Sequence, residues 1–252
     1  MKAIILAAGV GTRMGKISED LPKCLLEING TPIIRKQVES LNANGINDIS
    51  VVVGYREDMV KKVCKDLNIK FYTNPKYKET GMFESMFCAE EELKGEFIMI
   101  YGDIYFEETV IEKLLQDRND FCMVVDKSKD IEHEAEEVHE EYHGEKIKKG
   151  STKVNLVDGL VKKISKSLSP EEASAEYIGI TKFSKSGTRI IFERIKHLID
   201  SGEIAKYPSP SYLIRWLIEQ GEKINVIFVE EREYAEIDYA KDLKEAKDRF
   251  EK

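Results

Sequence analysis

Apolar residues along this chain fall in short unbroken runs. Residues 3–6, 49–53, 97–101 and 121–125 are each rich in β-branched or aromatic side chains. Between them, residues 32–44 and 82–93 carry apolar positions at helical spacing. A strand covered on one face alternates apolar with polar residues, whereas a run that is apolar at successive positions suits a strand buried on both faces. The alternation of such runs with helical patterns predicts an α/β fold, a Rossmann-like mixed and mostly parallel sheet flanked by helices.

The second half changes character. Residues 153–157 and 160–164 flank Asp158-Gly159, a pair suited to a two-residue hairpin turn, so an antiparallel extension of the sheet is expected there. Residues 177–183 and 224–229 read as further strands, and 190–199, 212–220 and 238–250 as helices. Residues 130–145 are strongly acidic, carry His133, His139 and His143, and have almost no large apolar side chains. With no internal repeat and no Pro-, Gly- or Ser-rich linker, residues 1–252 are expected to form a single domain, with 130–150 as an exposed acidic insertion.

Composition narrows the function. The chain is 42% hydrophobic and 34% charged, with a formal net charge of -8. That balance sustains a sizeable core and argues against a protein that coats nucleic acid, which needs clustered Lys and Arg. The apolar opening residues mimic the start of a signal peptide, but the run is short and Arg13 follows, so a buried strand is expected. No stretch approaches the roughly 18 apolar residues of a membrane span. Cys24, Cys64, Cys88 and Cys122 are scattered, without a C-x-x-C pair, which fits a reducing cytoplasm.

In open α/β sheets ligands bind beyond the carboxyl ends of the strands, which puts residues 9–13 and Gly102-Asp103 at one cleft. The first strand runs into Leu6-Ala7-Ala8-Gly9-Val10-Gly11-Thr12-Arg13-Met14, followed by Leu21-Pro22-Lys23-Cys24 and Gly30-Thr31-Pro32. Gly9 and Gly11 let backbone N–H groups approach a ligand, while Arg13 and Lys23 supply countercharge, a combination suited to a nucleoside triphosphate. The spacing lacks the last glycine of G-x-G-x-x-G, and Gly15-Lys16-Ile17 lacks the hydroxyl residue of a Walker loop. Asp103 ends a strand at the expected cleft, where hard cations are commonly held, and is the leading metal ligand. Cys24 has no His or Asn at hand to make it a nucleophile, and the three histidines lack zinc spacing.

The amino-terminal segment resembles the signature of the nucleoside-triphosphate transferase family, which includes sugar-phosphate nucleotidylyltransferases and phosphocholine cytidylyltransferases, and the likeness runs along nearly the whole chain. The resemblance implies the nucleotide-diphospho-sugar transferase-like fold. It also implies that Leu6, Ala8, Gly9, Gly11 and Thr12 line the nucleotide, that Arg13 contacts the β- and γ-phosphates, and that Lys23 contacts the α-phosphate. Glu236-Ile237-Asp238 resembles the family's second acidic motif, so Asp238 is the expected partner of Asp103 around Mg2+. Residues 74–87, Asn74 to Phe87, resemble the phosphocholine cytidylyltransferase-like branch, which favours CTP and nominates Ser85, although Gly81 stands where that branch commonly has Asn. Ile164-Ser165-Lys166 and Ala175-Glu176-Tyr177 resemble the acceptor side, which nominates Lys166, Glu176 and Tyr177, and a choline-like cation would suit Trp216 as well.

Together the resemblance implies a Mg2+-dependent cytidylyltransferase that joins CMP to a small phosphorylated acceptor. It would need no protein nucleophile, since a phosphorylated acceptor attacks the α-phosphorus itself and the protein aligns groups and neutralises charge. The alternatives are a hexose-1-phosphate nucleotidylyltransferase using UTP or dTTP, and a nucleotide-binding module without catalysis. A glycosyltransferase is disfavoured because Asp103-Ile104-Tyr105 is not a D-x-D arrangement.

Overall fold

The computed structural model describes residues 1–11, 14, 20–127, 139–142, 145–148, 151–204 and 210–251. The amino-terminal part comprises β1 (Lys2–Ala7), a 3-10 turn (Lys23–Leu25), the small hairpin of β2 (Glu27–Ile28) and β3 (Thr31–Pro32), α1 (Ile33–Ala43), β4 (Asp48–Val53), α2 (Glu57–Val63) and β5 (Ile69–Thr73). There follow α3 (Met82–Phe87), β6 (Phe97–Tyr101), β7 (Ile104–Phe106), α4 (Glu108–Gln116) and β8 (Phe121–Asp126). The remainder comprises β9 (His139–Tyr142), β10 (Glu145–Lys148), β11 (Thr152–Val157), β12 (Leu160–Ser165), β13 (Ala175–Phe183), α5 (Lys185–Asp200), α6 (Pro210–Glu219), β14 (Ile224–Val229), β15 (Tyr234–Glu236) and α7 (Ala240–Arg249).

Nine strands form one sheet in the order β11-β12-β14-β8-β13-β6-β1-β4-β5. The half made of β6, β1, β4 and β5 is parallel throughout. β13 lies antiparallel between β6 and β8, and the β11–β12 hairpin continues the antiparallel part. Its turn has Asp158 at φ 52° and Gly159 at φ 75°, the paired left-handed conformation of a type I′ turn.

The reason successive positions of β1 are apolar is now visible. Ala3, Ile5 and Ala7 face a core closed by Ile34, Val38 and Leu41 of α1 and Val110, Ile111 and Leu114 of α4. Ile4 and Leu6 face the opposite core, closed by Phe83 and Met86 of α3 and by residues of α5 and α6. A third, smaller cluster packs Ala246 of α7 against Leu26, Ile28, Tyr105 and Ile237.

One expectation needs adjusting. The helix expected over 82–93 ends at Phe87, and Glu90–Glu92 form a 3-10 turn instead. Of the acidic stretch at 130–150, only β9 and β10 lie among the described residues, paired with each other in a separate two-stranded sheet. His133 and His143 lie outside the described residues.

Candidate active site

Three charged residues from distant parts of the chain converge at the carboxyl ends of β1 and β6. Lys23 Nζ donates to Asp238 Oδ1 at 2.6 Å and to Asp103 Oδ2 at 3.1 Å. Burial pulls the Lys23 ammonium down, but the charges of Asp103 and Asp238 outweigh it and hold the pKa above its ordinary value.

Backbone pairing explains the convergence. Gly102 N–H donates to Leu6 O at 2.9 Å, and a Cβ on Gly102 would lie 2.9 Å from both that oxygen and the Ala7 Cβ. The exit of β6 therefore lies against the exit of β1 and carries Asp103 beside the amino-terminal loop. β7 pairs antiparallel with β15, with Ile104 opposite Glu236, and Ile237 N–H donates to Asp103 O at 3.1 Å. That ladder brings Asp238 alongside Asp103.

Asp238 does not cap the final helix. The N-cap is Tyr239, and Asp242 Oδ2 accepts from the N–H groups of both Asp238 and Tyr239, at 2.9 and 2.6 Å. The capping duty falls on Asp242, and the Asp238 carboxylate turns toward Lys23.

The glycine-rich loop lies on the lysine. Gly11 has φ 71°, and a Cβ there would sit 2.7 Å from Lys23 Cγ, so a side chain at this position would be strained in its backbone and would displace Lys23. A Cβ on Gly9 would meet nothing within 4 Å. Thr12 and Arg13 lie outside the described residues. Leu6 and Ala8 bury their side chains in the sheet, and Ala8 O accepts from Tyr55 N–H at 3.0 Å.

The segment at 74–85 is tied by one buried amide. Asn74 Nδ2 donates to Thr80 Oγ1 at 2.8 Å and to Ser85 Oγ at 2.9 Å, and Asn74 Oδ1 accepts from Lys76 N–H at 2.9 Å. Ser85 is thus engaged by the segment's own scaffold. Tyr77 packs so tightly over Gly54 that a Cβ there would lie 2.8 Å from the Tyr77 Cβ.

The residues nominated for the acceptor side share one end of the sheet extension. Lys153 of β11 is opposite Ser165 on one side and Glu176 on the other, which puts Lys166 and Tyr177 one position along the same rows. Glu176 is buried, accepts from Ser151 Oγ at 2.6 Å, and is opposite Asp126 across the β8–β13 pairing. Asp126, fully buried, accepts from Tyr234 Oη at 2.7 Å. Tyr177 is a core residue: its ring meets that of Tyr101 edge-on at 5.8 Å, and its hydroxyl lies 2.8 Å from Thr181 Oγ1. Trp216 lies on α6 under the Arg194 guanidinium, 5.0 Å from its ring centroid.

Asp103 and Asp238 bracket a single ammonium within hydrogen-bonding reach, so a compact cation fits between them. Two hard carboxylate donors, with the remaining ligands from phosphates and water, is the set that Mg2+ favours. Among the described residues no group of three or more His, Cys, Asp and Glu is gathered for a metal. Cys24 is buried and its thiol is pushed up by that burial, as expected of an inert cysteine. Among the described residues no helix is long and apolar enough to cross a membrane.

Sequence reading did not single out Gln37. This fully buried residue of α1 donates from Nε2 to Tyr101 O at 2.8 Å and to Ile104 O at 2.7 Å, the carbonyls on either side of Gly102-Asp103. Gln37, Ser40 and Asn44 are spaced by three and four on one face of α1, and Gln37 and Ser40 are buried beside Ile34, Val38 and Leu41.

Residues 3–149 match the family model of the MobA-like NTP transferase domain. The chain is 33% identical over 192 residues to a CTP:phosphoglutamine cytidylyltransferase of Campylobacter jejuni, covering 73% of each chain. It is 38% identical over 107 residues to the choline-phosphate cytidylyltransferase of Streptococcus pneumoniae, covering 42% of this chain and 47% of that one. The structure of the inositol-1-phosphate CTP transferase from T. maritima superposes with a TM-score of 0.76 at 22% identity, covering 98% of this chain and 95% of the other, which shows the shared fold.

Proposed function

The chain belongs to the MobA-like NTP transferase family and is a nucleotidyltransferase, and on that premise we propose that it is a Mg2+-dependent cytidylyltransferase. It transfers CMP from CTP to a small phosphorylated acceptor, such as phosphocholine or a related phosphate or phosphonate, and releases pyrophosphate. The observation that carries this reading is the convergence of Lys23, Asp103 and Asp238 beneath the Gly9–Gly11 loop. Cytidylyltransferase activity in the names of two relatives supports CTP as donor.

In this mechanism an oxygen of the acceptor phosphate attacks the α-phosphorus, and the bond from that phosphorus to the bridging oxygen of the β-phosphate breaks. Lys23 leaves its two carboxylates and meets the α-phosphate, where its fixed positive charge stabilises the developing negative charge. The Gly9–Gly11 backbone and Arg13 hold the departing pyrophosphate. Asp103 and Asp238 would hold Mg2+, which when bound supplies Lewis-acid neutralisation of phosphate charge. Lys166, Glu176 and Tyr177 form or support the acceptor side, and residues 1–252 act as one domain.

Magnesium-dependent pyrophosphate release tests the reading, with CTP, UTP, ATP, GTP and dTTP each paired with phosphorylated alcohols, amides and sugars. Release with CTP and a non-sugar acceptor is expected. A preference for UTP or dTTP with a hexose 1-phosphate would replace it with the sugar-nucleotide alternative, and nucleotide binding without pyrophosphate would leave a binding module.

A further inference from the structure

Asp103 lies on a segment whose backbone is held at almost every step. Gly102 N–H is taken by Leu6 O, Asp103 O by Ile237 N–H, Phe106 O by Ser40 Oγ at 2.9 Å, and Tyr101 O and Ile104 O by the Gln37 amide. The last two bonds come from one nitrogen and straddle Asp103. Two carbonyl oxygens on one side of the amide require the N–H2 group to face them, so its orientation follows from its partners.

The cost of this arrangement shows at the other end of the amide. Gln37 Oε1 is buried and has no hydrogen-bond partner among the described residues. An apolar side chain of the same length would fill the space and remove the orphaned Oε1, but it would take this donor away from the carbonyls of Tyr101 and Ile104, so it is those two bonds and not packing that call for an amide here. What only the amide supplies is the fork that fixes the Tyr101–Ile104 backbone and, through it, the aim of the Asp103 carboxylate at Lys23.

We infer that Gln37 is a positioning residue for nucleotidyl transfer, one that touches neither substrate nor metal and acts by holding Asp103 in its metal-binding orientation. The inference rests on the proposed role of Asp103 and adds to it a determinant on α1, outside the segment that carries Asp103. Partners of this kind, hydrogen-bonded behind a metal-binding group, typically carry 10- to 100-fold in metal affinity or activity.

The test is Mn2+ binding by electron paramagnetic resonance, with CTP and no acceptor, alongside steady-state kinetics and thermal unfolding. Gln37→Met keeps the side-chain length and removes both N–H donors. It is expected to weaken Mn2+ binding and lower kcat, each about 10- to 100-fold, while leaving KM for CTP unchanged. Ser40→Ala removes a bond from the same helix to the same segment, but not one that straddles Asp103. It is expected to lower the unfolding midpoint and leave Mn2+ affinity and kcat at wild-type values. Should Gln37→Met not fold, Gln37→Asn keeps a donor too short to reach both carbonyls and is expected to weaken Mn2+ binding to a lesser degree. Wild-type Mn2+ affinity and kcat in a folded Gln37 variant overturn the inference. Asp103→Asn, run in parallel, separates the two levels: if it too binds Mn2+ like wild type, the metal role of Asp103 has failed and the inference falls with it. If Asp103→Asn binds weakly and the Gln37 variant binds normally, only the positioning role has failed.

Discussion

Lys23 Nζ lies 2.6 Å from Asp238 Oδ1, a contact between residues 215 positions apart in sequence. Because the same ammonium also lies 3.1 Å from Asp103 Oδ2, one lysine is shared between both carboxylates proposed to hold the metal and leaves the trio with a net negative charge. The side chains are 13%, 19% and 23% exposed for Lys23, Asp238 and Asp103, so their attraction is only partly screened by water. If Asp103 and Asp238 hold a divalent cation, as proposed, it would compete with Lys23 for them, and the lysine so released would be available for the α-phosphate.

Lys23→Met follows from that competition. The nucleotide-free variant is expected to bind Mn2+ about tenfold more tightly than wild type, since two carboxylates are left without their ammonium. Turnover in the same variant is expected to fall about 10²- to 10³-fold, the usual loss when a group aimed at transition-state charge is removed. Resonance of free Mn2+ and pyrophosphate release measure the two effects, and unchanged Mn2+ affinity would separate Lys23 from the metal site.

Gly11→Ala should be damaging where Gly9→Ala is not. At Gly11 an added Cβ meets Lys23 Cγ at 2.7 Å in a left-handed backbone, for a cost of about 1–2 kcal/mol. At Gly9 the space around a Cβ is open. Chemical denaturation is expected to show a loss for the first variant and near wild-type stability for the second.

Asp242→Ala removes the carboxylate that takes the Asp238 and Tyr239 N–H groups at the start of α7. A loss of about 1 kcal/mol is expected from the cap. Because the cap adjoins Asp238, weaker Mn2+ binding should accompany it, whereas a stability loss alone would show that α7 holds Asp238 by other means.

At the opposite end of the sheet, Glu92 accepts from Lys2, from Lys70 at 2.8 Å and from Tyr72 at 2.8 Å. Burial raises its carboxyl pKa, but these hydrogen bonds outweigh burial and bring it down to about 2. A depressed folded-state pKa contributes stability that is present above the unfolded value near 4.5 and is lost as pH falls toward about 2. Glu92→Gln is expected to cost roughly 2–3 kcal/mol at neutral pH and to flatten the acid limb of the stability curve. An acid limb identical to wild type would count against this ion cluster.

The central strands were legible because burial on both faces leaves a mark that little else imitates, as in Ile4-Ile5-Leu6 or Ile49-Ser50-Val51-Val52-Val53. The hairpin at Asp158-Gly159 was equally plain, since few residue pairs accept two successive positive φ angles. β7 and β15 were not foreseen: each has three residues, too few for a pattern, and their pairing is a long-range event. Yet that pairing is what sets Asp238 beside Asp103. Lys23, Asp103 and Asp238 could be nominated from motifs, but that one ammonium holds both carboxylates is a matter of tertiary geometry. The stripe of Gln37, Ser40 and Asn44 went unremarked in the sequence, because its meaning lies in the carbonyls of another segment.

The most direct test of the whole account is pyrophosphate release from CTP with a non-sugar phosphorylated acceptor, measured for the wild-type protein, Asp103→Asn and Asp238→Asn together. The account predicts release by the wild type, and a loss of at least about 10²-fold in each variant with the fold intact. Wild-type rates in both folded variants would contradict the assignment of the two carboxylates to the reacting centre.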